Sequence, residues 1–211
     1  MKDHLIITIG REFGSGGREI GELLAKKLGV KCYDKLLLKM AAEESGLNEK
    51  LFEINDEQNV NTIMTSLMSH SYFGSTGNFQ PMLVQLFLAQ FNAIKSLEYK
   101  EPCVIIGRCA DDVLKNYPHK LRVFISADKE KKIERVMERH ECSSKEAEKM
   151  IAKTDKNRAR YYNYFASGEW GDAKNYDLCL NSSVLGIEGT VEVILEYIRR
   201  LPKLMHTSEQ D

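Results

Sequence analysis

Apolar residues along the chain fall into two rhythms. Short, largely apolar runs occupy 5–9, 30–33, 103–106, 121–125 and 176–180, and none alternates strictly with polar positions. That is the habit of parallel strands covered on both faces, not of half-exposed hairpins. Between the runs, apolar positions recur at helical spacing. Ile20, Leu23, Leu24 and Leu28 follow the first run; Leu83, Leu86, Phe87, Phe91 and Ile94 lie within 81–97; Val191, Ile194, Leu195 and Ile198 lie within 187–201. Alternation of strands and helices predicts an α/β fold of three layers around a five-stranded parallel sheet.

Punctuation residues agree with this reading. A helix over 35–44 ends near Gly46, and Pro81 suits the first turn of the next. Asp128 is the expected cap of a helix over 129–140, and Ser143 with Glu146 forms a capping-box pattern opening a long helix toward Phe165. Residues 48–78 fit a sheet poorly. They are polar, carry methionines and finish in a glycine-bearing segment, so they read as part of a helical lobe inserted after the second strand and ending in a mobile loop.

Composition narrows the setting. With 211 residues, one domain over 1–211 can bury a substantial core. The formal net charge is −1, which gives no surface for a nucleic-acid polymer. Five scattered cysteines without a C-x-x-C pair read as reduced thiols of a cytoplasmic protein. The run at 5–9 is too short for a signal-peptide core or a membrane span. Apolar helix faces between 48 and 97 suit a core and an oligomer interface equally, so the number of subunits stays open.

The candidate chemistry begins where the first strand ends, at Gly10-Arg11-Glu12-Phe13-Gly14-Ser15-Gly16-Gly17-Arg18. A glycine-rich turn between strand and helix lets main-chain N–H groups converge on an anion, helped by the dipole of the helix start. Gly14, Ser15, Gly16, Gly17, Arg18 and Glu19 are therefore the expected phosphate-binding residues. A strict phosphate loop continues with Lys and then Ser or Thr, but the lysine slot holds Gly17. Arg18, next along, is the expected stand-in, while Glu19 either helps hold Mg²⁺ through water or caps the helix. A dinucleotide-binding turn is the alternative, with Asp34 as the ribose-binding acid. Its G-x-G-x-x-G fingerprint fails because Glu19 fills the third glycine slot.

Four further arginines belong to this picture. Arg108, after Gly107 at the end of a buried strand, suits a bidentate phosphate contact or an ion pair with Asp111 or Asp112. Arg135 and Arg139 share a helix face, and Asp155 and Arg158 follow on the next helix. Pairing with Glu134 or Glu138 would account for the first two, but basic residues on two consecutive helices also suit a lid over transferred phosphate. Trp170, Tyr161 and Tyr162 read as packing residues, and His70, His119 and His140 lack partners at metal-ligand spacing.

Taken in order, the opening motif, Tyr33-Asp34-Lys35, Gly107-Arg108-Cys109-Ala110-Asp111, Asp155-Lys156-Asn157-Arg158 with Tyr161-Tyr162, and Tyr176 to Asn181 resemble the cytidylate kinase-like proteins over about residues 4–200. The resemblance implies a P-loop NTPase fold with an acceptor-binding lobe over about 35–98 and a lid over about 135–172. It implies transfer of the γ-phosphate of Mg²⁺-ATP to a nucleoside monophosphate, CMP or dCMP first, or to a related small acceptor, with ATP and Mg²⁺ as cofactors and no metal held by the protein alone. Asp34, Arg108, Asp111, Asp155 and Arg158 would bind the acceptor. Arg18, Arg135, Arg139 and Arg158 would neutralise charge during transfer. Cys109 stands for the acid of the Gly-Arg-Asp motif, and Ile151 stands where a lid arginine is usual. A nucleotide sensor without turnover and a nicotinamide-dependent oxidoreductase are the rival readings.

Overall fold

A computed structural model of the protein describes residues 4–54 and 82–201. Five parallel strands, β1 (Ile6–Arg11), β2 (Lys31–Tyr33), β3 (Cys103–Ile106), β4 (Lys120–Ser126) and β5 (Leu178–Asn181), form one sheet in the order β2-β3-β1-β4-β5. Ile6 lies opposite both Cys103 and Lys120, so β1 sits at the centre with its carboxyl end flanked by those of β3 and β4. The helices are α1 (Gly17–Leu28), α2 (Lys35–Ser45), α3 (Glu49–Ile54), α4 (Met82–Leu97), α5 (Ala110–Val113), α6 (Lys129–His140), α7 (Ser144–Phe165) and α8 (Ser182–Arg200).

Successive side chains of a strand point to opposite faces, and this divides the interior in two. Ile6, Tyr33, Cys103 and Ile105 face a core filled from α2 and α4 by Leu37, Leu38, Ile94 and Leu97. Ile7, Ile9, Val104, Val123 and Ile125 face a second core filled from α1 and α8 by Ile20, Leu24, Val191 and Ile194. Each such Leu or Ile removed from water contributes about 1.5–3 kcal/mol, enough for the paired cores to hold the sheet between two helical layers. The expected three-layer fold is the observed one.

Some boundaries differ for local reasons. The last helix starts at Ser182 instead of 187, because the Asn181 side chain accepts from the Ser183 N–H at 2.9 Å; Gly186, at φ 68°, then kinks it. β5 starts two residues later than the apolar run, since Asp177 turns its carboxylate onto Arg122, 2.8 Å from Nη2. Asp128 sits at the start of α6, but its carboxylate accepts from Asn181 Nδ2 at 2.7 Å and caps no amide. The capping box of Ser143 and Glu146 forms as expected.

Helices α2, α3 and α4 stand where the inserted lobe is expected, with Phe52 buried in the core that they share with the sheet. Its expected mobile end falls within 55–81, outside the described residues, as does His70. α6 and α7 form a helical hairpin packed through Val136, Ala147 and Ile151. Ile151 therefore fills the hairpin core. Among the described residues no helix is long and apolar enough to cross a membrane.

Candidate active site

The glycine turn lies between Arg11, the last residue of β1, and Gly17, the first of α1. Its shape is held from within by Ser15, fully buried, whose Oγ donates to the Glu12 carbonyl at 2.8 Å and accepts from the Gly17 N–H at 3.3 Å. Gly14 needs its glycine identity. At φ +79° a Cβ there would stand 2.9 Å from the Lys132 carbonyl oxygen on α6.

The turn's carbonyls are held from behind. Arg135 Nη1 donates to the Gly14 carbonyl at 3.3 Å and to Ser182 Oγ at 3.1 Å, and Ser182 Oγ donates to the Ser15 carbonyl at 2.6 Å. Because a trans peptide is planar, the Gly16 N–H points away from Ser182. The first-turn amides of Arg18 and Glu19 have no intrahelical acceptor, and the helix dipole adds partial positive charge there. Gly14, Gly16, Gly17 and Arg18 line a cleft of about 160 Å³ that also reaches Asp34 and Arg158. Arg135 thus braces the loop from outside this cleft.

A second set of contacts ties the loop to the helical hairpin. The Phe13 N–H donates to Asp155 Oδ1 at 2.6 Å, and Lys132 Nζ stands 3.0 Å from Glu12 Oε2 and 3.9 Å from Asp155 Oδ2. Burial pushes the Asp155 carboxyl up to about 6, against the pull of the Phe13 N–H, Arg158 and Lys132. Arg158 donates from Nη1 to the Arg11 carbonyl at 3.2 Å and lies 5.7 Å from the centre of the Phe13 ring. Asp155 and Arg158 are brought together as the motif implied, but Asp155 spends one oxygen on the loop itself. Glu12 and Lys132 escaped the sequence reading. Glu12 lay inside the glycine motif, while Lys132 carried no signal among the many charges of its helix.

The rim is charged and paired. Arg18 Nε lies 3.0 Å from Glu22 Oε1 and 3.1 Å from Asp34 Oδ2, with 48% of its side chain exposed. Arg139 reaches back from α6 to an ion pair with Glu19. Asp34 therefore lies on the loop's cleft, across from Arg18, at the carboxyl end of β2.

Beside the cleft is a small pocket of about 20 Å³ lined by Arg108, Asp111, Tyr161, Tyr162, Trp170 and Tyr176, among others. Its floor is the turn after β3, where Gly107, Arg108 and Cys109 have φ of 71°, 62° and 53°. Consecutive left-handed non-glycine residues are costly and cluster at functional sites; here they deliver Arg108, 4% exposed, into the cavity wall. Tyr162 donates its hydroxyl to Asp111 Oδ2 at 2.5 Å. Burial raises the Asp111 carboxyl to about 6, opposed first by that hydrogen bond. Trp170 stands edge-on to Phe124 with ring centroids 5.5 Å apart, so it anchors its loop as expected while also facing the cavity. Arg11, Arg108 and Arg158 line both the cleft and the cavity, at their junction.

Among the described residues no group of three or more His, Cys, Asp or Glu could hold a metal ion. Glu12 lines the cleft and Asp155 does not, and Lys132 stands between the two carboxylates, so a Mg²⁺ beside a nucleotide here would take its ligands chiefly from phosphate oxygens and water.

Comparison with known proteins agrees with this architecture. The model of the cytidylate kinase-like family matches residues 6–184. A cytidylate kinase from Pyrococcus horikoshii is 28% identical over 203 residues, 95% of this chain and 91% of that protein. An uncharacterized protein from Eubacterium ventriosum is 32% identical, with a TM-score of 0.69 over 94% of this chain and 100% of its own. A shikimate kinase from Bacteroides thetaiotaomicron, 15% identical, shares the fold with a TM-score of 0.51 over 92% of this chain and 98% of its own.

Proposed function

The chain belongs to the cytidylate kinase-like family, and from that premise we propose that it is an ATP-dependent phosphotransferase acting on a nucleoside monophosphate, with CMP and dCMP the first candidates. The observation carrying this reading is the meeting of a glycine-loop cleft and an aromatic-lined cavity at shared arginines, Arg108 and Arg158 among them. One site offers amides to anionic oxygens, the other is a small pocket walled by aromatic rings, and fixed positive charge stands between them. A kinase needs that order of parts.

In this reading the amides of residues 14–18 hold the β- and γ-phosphates of ATP. The acceptor lies between Asp34 and the cavity, with Arg108, Asp111, Asp155 and Arg158 on its side. The bond between the γ-phosphorus and the bridging oxygen to the β-phosphate breaks as one forms to an acceptor phosphate oxygen, and ADP leaves. Charge is spread over the transferred group's oxygens, so catalysis is positioning plus electrostatic stabilisation. Arg108 and Arg158 orient the two reactants, and Arg18 and Arg139 supply positive charge at the rim. Bound Mg²⁺ would neutralise the phosphate tail, held chiefly by phosphate oxygens and water, with Glu12 the carboxylate that lines the cleft. Helices α2 to α4, about 35–98, serve as the acceptor lobe, and about 135–172 as the lid that excludes water on closing.

A coupled ADP-release assay with CMP, dCMP, the other nucleoside monophosphates and small hydroxylated metabolites tests this. ADP formation that depends on one monophosphate is expected. Tight binding of an ATP analogue with no ADP release from any acceptor would favour a nucleotide sensor. Binding of NAD(H) without binding of ATP would overturn the reading in favour of an oxidoreductase.

A further inference from the structure

The phosphate loop of this chain lacks its lysine, and the space beside Gly17 is occupied. A Cβ built on Gly17 would fall 2.5 Å from Arg11 Cβ, 3.1 Å from Arg11 Cγ and 3.3 Å from Ile125 Cβ. No side chain can leave position 17 while Arg11 keeps its place. Arg11 in turn is set firmly. It is the last residue of β1, in register with Ile125 of β4, and its carbonyl accepts from Arg158 Nη1 at 3.2 Å. Arg11 lines both the glycine-loop cleft and the aromatic pocket. Arg18, by contrast, is directed at Asp34 and Glu22 and is half exposed.

We infer that Arg11 is the cation that contacts the donor's terminal phosphates, moved from the first turn of α1 to the end of β1, and that Gly17 is glycine to admit it. This rests on the phosphotransferase reading above. An arginine suits the position because its planar fork can hold two oxygens at once and stays charged at every working pH. Approach from the strand end also puts it on the side where donor and acceptor meet, so its charge is available to the phosphoryl group throughout transfer. The clash at 17 is with the Cβ and Cγ of residue 11, so a lysine at 17 needs a glycine at 11.

The test is a reciprocal swap, read by ADP release and by affinity for a fluorescent ATP analogue, with thermal midpoints to confirm folding. Arg11→Met keeps the aliphatic stem and removes the charge. A loss of about a hundredfold in turnover, the scale of one lost transition-state donor, is expected, with weaker analogue binding and little change in midpoint. Gly17→Lys alone is expected to lower the midpoint and the turnover, because the new side chain collides with Arg11. Arg11→Gly with Gly17→Lys in one chain is expected to recover at least about tenfold of the turnover lost in Arg11→Gly, the scale of a hydrogen bond to a charged group. If Arg11→Met turns over and binds like the parent protein, or a folded double variant recovers nothing, the inference fails while the phosphotransferase reading stands. If the parent protein neither binds the analogue nor releases ADP, the phosphotransferase reading itself fails.

Discussion

The main-chain N–H of Phe13 donates to Asp155 Oδ1 at 2.6 Å, across 142 positions of sequence. This bond fastens the glycine turn after β1 to the middle of α7, so the shape of the loop depends on the position of the helical hairpin. Replacing Asp155 by Ala removes the acceptor and leaves a buried amide to be solvated or strained, at about 1–3 kcal/mol. Asp155→Ala is expected to weaken binding of an ATP analogue and to lower the thermal midpoint. Asp155→Asn, which keeps an acceptor oxygen, should lose less of both. Equal losses in the two variants would show that the charge matters and the bond to Phe13 does not.

Gly14 tests the other side of the loop. Alanine there would be forced to φ +79° with its Cβ 2.9 Å from the Lys132 carbonyl. Strain and overpacking together predict a loss of about 1–3 kcal/mol in urea denaturation. A Gly14→Ala chain as stable as the parent would mean that α6 does not approach the loop so closely in solution.

Arg108 separates charge from geometry at the acceptor side. Arg108→Lys keeps the positive charge but loses the planar fork. On the proposed role, kcat/KM for the acceptor should fall about a hundredfold while affinity for an ATP analogue stays near the parent value. Calorimetric titration with each ligand separates the two. An equal drop for both ligands would mean that Arg108 serves donor and acceptor alike, and a drop for the analogue alone would place it on the donor side.

Asp111 gives the stability a pH signature. Its carboxyl is raised to about 6 in the folded chain by burial, against about 3.9 for an unfolded aspartate. Between these values the native state binds more protons than the unfolded state, so stability falls as pH rises through that window and the penalty is complete above it. Asp155, also raised to about 6 by burial, adds a loss of the same sign. Thermal midpoints from pH 4 to 8 should therefore decline across the window. In Asp111→Asn the decline should be shallower and the midpoint near neutral pH higher. A parent protein whose midpoint rises steadily with pH would contradict both shifts.

Much of the frame was legible before any coordinates. Five apolar runs became the five strands, β1 and β3 because a strand covered on both faces is apolar, while the edge strands β2 and β5 keep exposed positions; the glycine turn landed between β1 and α1. The capping box at Ser143 and Glu146 was readable because it depends on two residues three apart. The early start of α8 was not, since it depends on the Asn181 side chain and tolerates a kink at Gly186 inside what the apolar spacing reads as a loop.

Local pattern therefore determined the layers, the order of elements and the glycine turn between β1 and α1, because strand burial, helical periodicity and capping act over a few residues. Which basic side chain packs beside that turn was decided only by the fold. Arg18 follows the lysine slot in sequence, yet it turns to Asp34 and Glu22. Arg11, six positions before Gly17, lies against the volume that a side chain at 17 would fill. Sequence spacing measures distance along the chain, while two side chains compete for space in three dimensions. That competition arises only once β1 and α1 fold back on one another.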